Sequence, residues 1–186
     1  MNSDVLPMRD RILDAAETRM RGRGFHSVSF RDLANDVGVK SASVHYHFPQ
    51  KSDLGNQLVE RYSARFQAEL DAIDTSVPSA AMTRFLALYD NAFSVGKSVC
   101  LCAILSAEAN SLPDTLNARL RGFFEVNVRW LSALNVRHGL ADRVPDPLEI
   151  VGALEGTMIV ANAMADRAAL ITTITRIQAA YDLAAE

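Results

Sequence analysis

The stretch FRDLANDVGVKSASVHYHF, residues 30–48, decides the fold of the first part of the chain. Its apolar residues recur three to four positions apart on both sides of Gly38, which predicts two short helices joined by a turn. Gly38 tolerates the positive φ that such a turn needs, and Ala34 is small enough for the helices to cross closely. Four apolar side chains flank the turn and would fix the crossing: Leu33, Val37, Val39 and Val44. This spacing predicts a helix-turn-helix.

The charge of this region differs from that of the whole chain, which has a net charge of −3. Residues 1–55 contain slightly more basic than acidic side chains, and no acid occurs between Asp36 and Asp53. That window contains Lys40, Lys51 and two histidines. A surface built from it would face phosphate groups without like-charge repulsion. The charge pattern therefore permits nucleic-acid binding but does not establish it.

Beyond residue 50 the apolar residues also recur at helical spacing, and no stretch alternates like a half-buried strand. We therefore predict an all-α protein of about nine helices. Helix breaks divide it into a three-helix module, residues 1–50, and a larger helical domain, residues 51–186. SVCLCAILSAEA, residues 98–109, is apolar on nearly all sides and predicts a central helix. Asp146 followed by Pro147 predicts the start of the eighth helix.

Several classes of protein are disfavoured by composition and motifs. No run is long and apolar enough for a membrane span, and the first residues lack a signal-peptide pattern, so we expect a cytoplasmic protein. Cys100 and Cys102 make no disulfide framework, and on a helix they would point to different sides, which argues against shared metal binding. The simplest interpretation is two small buried side chains; a redox role stays open. We find no phosphate loop, metal motif or nucleophile elbow, and expect no catalytic residues, cofactor or enzyme activity.

The block GRGFHSVSFRDLANDVGVKSASVHYHFPQKSDL, residues 22–54, resembles the DNA-binding domain of the TetR/AcrR family of bacterial repressors. The resemblance covers residues 8–60 and, more loosely, the helical layout of the whole chain. It implies a homodimer on a palindromic operator in double-stranded DNA. It also implies a set of DNA-binding residues: Ser29, Arg31, Lys40, Ser41, Ala42, Ser43, His45, Tyr46 and Lys51. Where the family usually has tyrosine, this chain has His45, with Tyr46 one step later, so which of the two reads a base stays open.

A ligand site is predicted inside the helical domain, because aromatic side chains recur on the inner stripes of three helices. Its predicted residues are Phe66, Phe85, Tyr89, Phe93, Cys102, Glu108, Phe123, Asn127 and Trp130. So much aromatic surface suits a small apolar or aromatic effector, with Asn127 and Glu108 as orienting polar groups. Two alternatives stay open: a solid core without a cavity, and polar residues that simply bond a neighbouring helix.

The eighth helix carries small residues, Gly152, Gly156 and Ala163, among apolar ones. Small residues allow close helix packing, either within the core or between subunits. The family resemblance implies a dimer through the last two helices. We therefore expect a repressor that a small effector releases from its operator. The alternatives are an activator, a regulator without a ligand, or a helical small-molecule-binding or interaction protein without operator binding.

Overall fold

The computed structural model describes residues 6–96 and 99–184. These residues form α-helices and one 3-10 turn, with no strand among them, so the all-α prediction is confirmed. In chain order the helices are α1 (Met8–Arg23), α2 (Phe30–Val37), α3 (Ser41–His47), α4 (Lys51–Asp71), α5 (Pro78–Gly96), α6 (Leu101–Ser106), α7 (Asp114–His138), α8 (Pro147–Ala163) and α9 (Ala168–Ala184). The 3-10 turn, Ala109–Ser111, lies between α6 and α7.

The chain divides into two compact units. The first contains the chain up to Tyr62 together with Leu101–Leu120, and the second contains Ser63–Cys100 and the chain from Arg121 onward. The first unit therefore extends beyond the predicted module of residues 1–50, because it also takes the start of α4, the whole of α6 and the start of α7.

The first unit is built around α1, which packs against α2, α3 and α6. Its inner face is an apolar stripe on which Ile12, Ala16 and Met20 are fully buried. Phe48 is buried too, immediately before Pro49, and it closes the end of α3. The three-helix arrangement thus arises from ordinary amphipathic burial.

The predicted central helix is shorter than expected. Residue 98, where that prediction begins, lies outside the described residues, and α6 ends at Ser106. After Ser106 the amide of Glu108 donates to Leu105 O at 3.0 Å, a bond across three residues, and the 3-10 turn follows. Glu108 therefore lies in a tightened connection after the helix, and its carboxylate bonds to α1–α2 backbone amides, as described below.

The second unit is a helical layer in which α9 packs against both α5 and α8. Its core includes Phe85 and Tyr89 of α5, and Leu154 and Met158 of α8. The predicted start of α8 is confirmed: Asp146 accepts a hydrogen bond from the amide of Leu148 at 2.7 Å, and Pro147 is the first helical residue. None of the described helices combines the length and apolar character that a membrane crossing requires.

Candidate nucleic-acid interface

The turn between α2 and α3 has the geometry that the glycine predicts. Gly38 adopts φ 73° and ψ 38°, the left-handed conformation that a residue without a Cβ adopts at least cost. The amide of Val39 then donates to Ala34 O at 2.9 Å, which closes the end of α2. Leu33, Ala34 and Val44 are buried at the crossing, as predicted, while Val39 is half-buried.

The start of α2 is held by a capping box. Ser29 Oγ accepts from the amide of Asp32 at 3.2 Å, and the Asp32 carboxylate accepts from the Ser29 amide at 3.0 Å. The hydrogen bonds from Ser29 also lower the pKa of Asp32. Reciprocal capping of this kind satisfies two backbone donors that the helix leaves unpaired. Ser29 thus has a structural role besides the phosphate contact that the resemblance implies.

Two arginines of α1 bond to residues of α2, a role that the sequence did not predict. Arg11 Nη2 donates to Val37 O at 2.7 Å, at the carbonyl end of α2. Arg19 forms an ion pair with Asp36, with 2.8 Å between Nη2 and Oδ1, and this pair lowers the pKa of the Asp36 carboxyl. Arg19 therefore neutralises the last acid before the acid-free window. An Arg on α1 seventeen residues before an Asp gives no local signal in the sequence.

The outer face of α3 presents polar and small side chains to solvent. Ala42, His45 and Tyr46 are exposed on consecutive turns of the same face, and Tyr46 has 83% of its surface exposed. Ser41 and Ser43 are half-buried beside them, and Lys40 is exposed at the N-cap position. This face offers hydroxyl, imidazole and methyl groups, which are the groups that read base edges.

The structure distinguishes His45 from Tyr46. The His45 ring packs edge-on against Phe30, the first residue of α2, with 4.6 Å between ring centroids. Tyr46 contacts the ring of His47, its chain neighbour, at 5.2 Å. His45 is therefore restrained by its contact with α2, whereas Tyr46, in ring contact with its chain neighbour, is largely exposed. Arg31, one position after Phe30, is exposed as well.

Lys51 is less free than the sequence suggests. Its Nζ donates to His26 O at 3.2 Å and lies 4.7 Å from the centroid of the Phe25 ring. Burial lowers the pKa of Lys51, and the charge of Glu108 opposes this shift. An ammonium group has three donors, so a phosphate could still be bound by those that remain. Lys51 thus connects the start of α4 to the α1–α2 turn in addition to its predicted role.

The predicted ligand residues of the second unit pack against one another. Phe66 lies 5.8 Å from Tyr89 and 5.2 Å from Phe123 between ring centroids, and Phe85 stacks on Trp130 at 5.2 Å. Asn127 is fully buried: it accepts from the Tyr89 hydroxyl at 3.2 Å and donates to Phe123 O at 2.8 Å. The neighbouring-helix alternative for Asn127 therefore describes what the structure shows.

The remaining predicted ligand residues are distributed differently. Phe93 is buried on α5 in the second unit, whereas Cys102 and Glu108 belong to the first. Among the residues that the structure describes, the second unit has a surface groove of about 460 Å³ between the end of α4 and α5, and another of about 380 Å³ between α5 and α9. None of the nine predicted ligand residues lines either groove.

Both cysteines are buried thiols. Cys100 lies beside Glu155, a buried carboxyl of α8 whose pKa is raised well above its ordinary value by burial and by this thiol. Glu155 is not among the residues predicted from the sequence, although it lies four residues after Val151 and three before Met158, on the inner stripe of α8. Within the part of the chain that the structure describes, no three His, Cys, Asp or Glu side chains are grouped for metal binding.

Known proteins match this chain in two ways. The family model described as bacterial regulatory proteins, tetR family, matches residues 12–58. The Staphylococcus aureus biofilm operon icaADBC HTH-type negative transcriptional regulator IcaR is 36% identical over 53 residues, which are 28% of this chain and 28% of that protein. The chain therefore matches under a third of the length of this curated relative.

Solved structures match over nearly the whole length. A transcriptional regulator of the TetR family from Agrobacterium tumefaciens is 27% identical, with a TM-score of 0.85, over 92% of this chain and 95% of that one. A TetR transcriptional regulator from Legionella pneumophila, 24% identical with a TM-score of 0.85, shares the fold over 94% of this chain and 97% of its own. With the helix-turn-helix and the family match in agreement, residues 12–58 are similar to the tetR family of bacterial regulatory proteins, and the chain shares the fold of these two solved regulators over nearly its whole length.

Proposed function

We propose that this protein is a transcription regulator that binds double-stranded DNA through α3 and represses the genes beside its operator. The observation that carries the proposal is the outer face of α3, on which Ala42, His45 and Tyr46 are exposed above a capped and braced α2. Repression is supported by IcaR, which is named as a negative transcriptional regulator. A protein with this activity would work in the cytoplasm.

The structure suggests how the nine predicted DNA-binding residues divide their work. Arg31 and Lys40 are exposed cations at the starts of α2 and α3, and they suit phosphate contacts together with Ser29 and Lys51. Tyr46, a large and mostly exposed side chain of this face, is our candidate for reading a base edge, while His45, held against Phe30, suits a phosphate. Ser41, Ala42 and Ser43 lie on the same outer face of α3 and suit further contacts with base edges. Phosphate contacts position a protein on DNA, whereas base contacts select the sequence.

We propose that two copies associate through α8 and α9. Leu148 and Val160 on α8 are exposed large apolar side chains, and Gly152 and Gly156 lie between them at intervals of four residues. A Cβ added at either glycine would meet nothing within 4 Å, so this stripe faces open space in the single chain. On α9, Ile171 is exposed as well. A two-fold interface would cover both copies of the stripe and match a palindromic operator.

We propose further that a small apolar or aromatic effector releases the protein from DNA by binding at the aromatic cluster of α4, α5 and α7. Support comes from the mutual contacts of Phe66, Tyr89 and Phe123 around Asn127. The effector would need to separate these side chains, since they fill the cluster in the structure. Glu108 belongs to the first unit and its carboxylate bonds to backbone amides there, so it is not among the proposed effector contacts.

The test begins with selection of duplexes from a random DNA library by the wild-type protein. We expect one palindromic sequence, bound with an affinity that falls steeply as salt rises, because bound phosphates release counterions. Arg31→Ala should weaken binding to all duplexes alike and reduce the slope of log Kd against log salt by about 1. Tyr46→Ala should instead change which base is preferred. A wild-type protein that selects no duplex would refute the proposal and favour a helical ligand-binding or interaction protein.

A further inference from the structure

The α1–α2 turn of the first unit is held by one carboxylate from a distant part of the chain. Glu108 Oε1 accepts a hydrogen bond from the Phe25 amide at 2.9 Å, and its Oε2 accepts from the His26 amide at 3.2 Å. The His26 ring Nε2 lies 3.8 Å from the same Oε2. Two consecutive backbone donors are thus satisfied by one charged side chain. Hydrogen bonds to charged groups are stronger than neutral ones.

Gly24, the residue before these amides, leaves room for the Glu108 carboxylate because it has no Cβ. Gly24 has φ +78°, and a Cβ at this position would lie 1.7 Å from Glu108 Oε1. Any other residue would therefore collide with the carboxylate and also strain the backbone. Gly22, two residues earlier, has open space around its Cβ position. The close approach is therefore specific to Gly24.

Further contacts tie the same turn to the starts of α4 and α7. Lys51 of α4 donates to His26 O, and His26 Nε2 lies 3.0 Å from Ser111 Oγ in the 3-10 turn. Gly55 of α4 leaves room for the Phe25 ring: an added Cβ would lie 2.9 Å from Phe25 Cε2 and 3.1 Å from Leu116 Cδ2 of α7. The α1–α2 turn is therefore enclosed by residues from three other elements of the first unit.

The enclosed turn leads directly into the helix-turn-helix. Val28, buried, follows it, and Ser29 is the N-cap of α2. From α2 the chain passes through Gly38 into α3. The position of the α1–α2 turn therefore affects the position of α2 and, through it, that of α3. The segment that supplies Glu108, Leu101–Leu120, follows Cys100 of the second unit in the chain and returns to that unit through α7.

We infer that Glu108 is a positioning residue for DNA binding: by holding the Phe25 and His26 amides it sets the α1–α2 turn, and with it α2 and α3, in the orientation that binds DNA. The inference rests on the proposed function, because its main readout is DNA affinity. A conformational change that withdrew Glu108 would leave two amide donors without their acceptor and release the turn. Through Glu108, which does not itself contact DNA, the Leu101–Leu120 segment thus influences the orientation of the outer face of α3.

The central variant is Glu108→Gln, which keeps the shape of the side chain but has one acceptor oxygen for two amides and no charge. The matched control is Glu125→Gln, an exposed side chain of α7 in the second unit. Both substitutions remove one negative charge, so long-range electrostatics alone would tighten DNA binding slightly in both. We expect the opposite for Glu108→Gln: affinity for the selected duplex about tenfold weaker, as for a lost charged hydrogen bond, with Glu125→Gln at or slightly below the wild-type Kd.

Two further measurements separate positioning from simple stabilisation. Backbone amide exchange, followed by NMR, should accelerate in Glu108→Gln at Phe25 and His26 by about tenfold or more, with little change at buried amides of α1. Kd is measured well below the unfolding transition, with the folded fraction checked by circular dichroism. A merely structural role would lower the melting temperature and leave the Kd of the folded protein unchanged.

A second set of variants tests the geometry itself. Gly24→Ala should weaken DNA binding, because its Cβ meets Glu108 Oε1, whereas Gly22→Ala should not. Combining Gly24→Ala with Glu108→Ala removes the collision, so the two effects should not add. Unchanged exchange at Phe25 and His26, unchanged Kd in Glu108→Gln, or strict additivity would each overturn the inference. If the wild-type protein selects no duplex, the proposed function fails and the inference falls with it; a defect confined to the variants concerns the inference alone.

Discussion

Glu155 is a carboxyl group on the inner side of α8, with 7% of its surface exposed and the fully buried Leu154 and Met158 close by in the chain. Burial raises its pKa well above the ordinary value of 4.5, and the Cys100 thiol beside it raises the pKa further. Burial favours the protonated form, so the folded protein ionises this group at a higher pH than the unfolded chain does. Folding therefore carries a pH-dependent cost at this position, which glutamine would remove.

The size of the effect follows from proton linkage. Between the unfolded pKa and the higher folded pKa, the folded state binds more protons, so the free energy of unfolding falls as pH rises through this window. Each unit of separation between the two pKa values removes about 1.4 kcal/mol. Below the unfolded value of 4.5 the contribution is fully present. Glu155→Gln should thus gain stability over wild type progressively above this pH. The second N–H of the amide adds an offset that does not depend on pH.

The assay is urea unfolding of both proteins across pH 4 to 8, at one fixed protein concentration because association shifts apparent stability. The quantity of interest is the slope of the difference in unfolding free energy against pH, since the constant offset cancels in it. Glu125→Gln, exposed on α7, is the control and should run parallel to wild type. Parallel curves for Glu155→Gln and wild type would refute the reasoning.

Two other substitution and ligand experiments address the second unit. Val160→Arg should convert the proposed dimer to a folded monomer in sedimentation, because Val160 is exposed in the single chain. Val136→Arg, a change at an exposed residue of α7, is the control and should leave the dimer intact. A dimeric Val160→Arg protein would exclude this part of α8 from the interface. Uncharged aromatic molecules that change the fluorescence of Trp130, the single tryptophan, should lower the affinity of the protein for DNA. Bound DNA should lower the affinity of the protein for the molecule by the same factor. A molecule that alters fluorescence and leaves DNA affinity unchanged is not the effector.

The helix-turn-helix could be predicted from sequence because its determinants are local. Ala34, Gly38 and Val44 lie within eleven residues, and each meets a requirement of a single turn between two helices. Glu108 illustrates the opposite case. Its partners, Phe25 and His26, lie 83 and 82 residues away in the chain, so no local pattern indicates these hydrogen bonds. The apolar run before Glu108 instead predicts a longer helix with an inward-pointing carboxylate. Sequence periodicity reports which face of an element is buried, but not which element covers it.

The contacts of Asn127 constrain the chemistry of any effector at the aromatic cluster. Its Oδ1 already accepts from Tyr89 and its amide already donates to Phe123 O, so a ligand that used Asn127 would first break a buried hydrogen bond. Breaking this buried bond between Tyr89 and Asn127 costs about 1–3 kcal/mol, which the ligand's own hydrogen bond must offset. A ligand that only separates the rings of Phe66 and Phe123 incurs no such cost. The cluster therefore favours a wholly apolar aromatic effector over one selected by a polar group, and Tyr89→Phe, which frees the Asn127 oxygen, should shift the preference toward ligands that carry a hydrogen-bond donor.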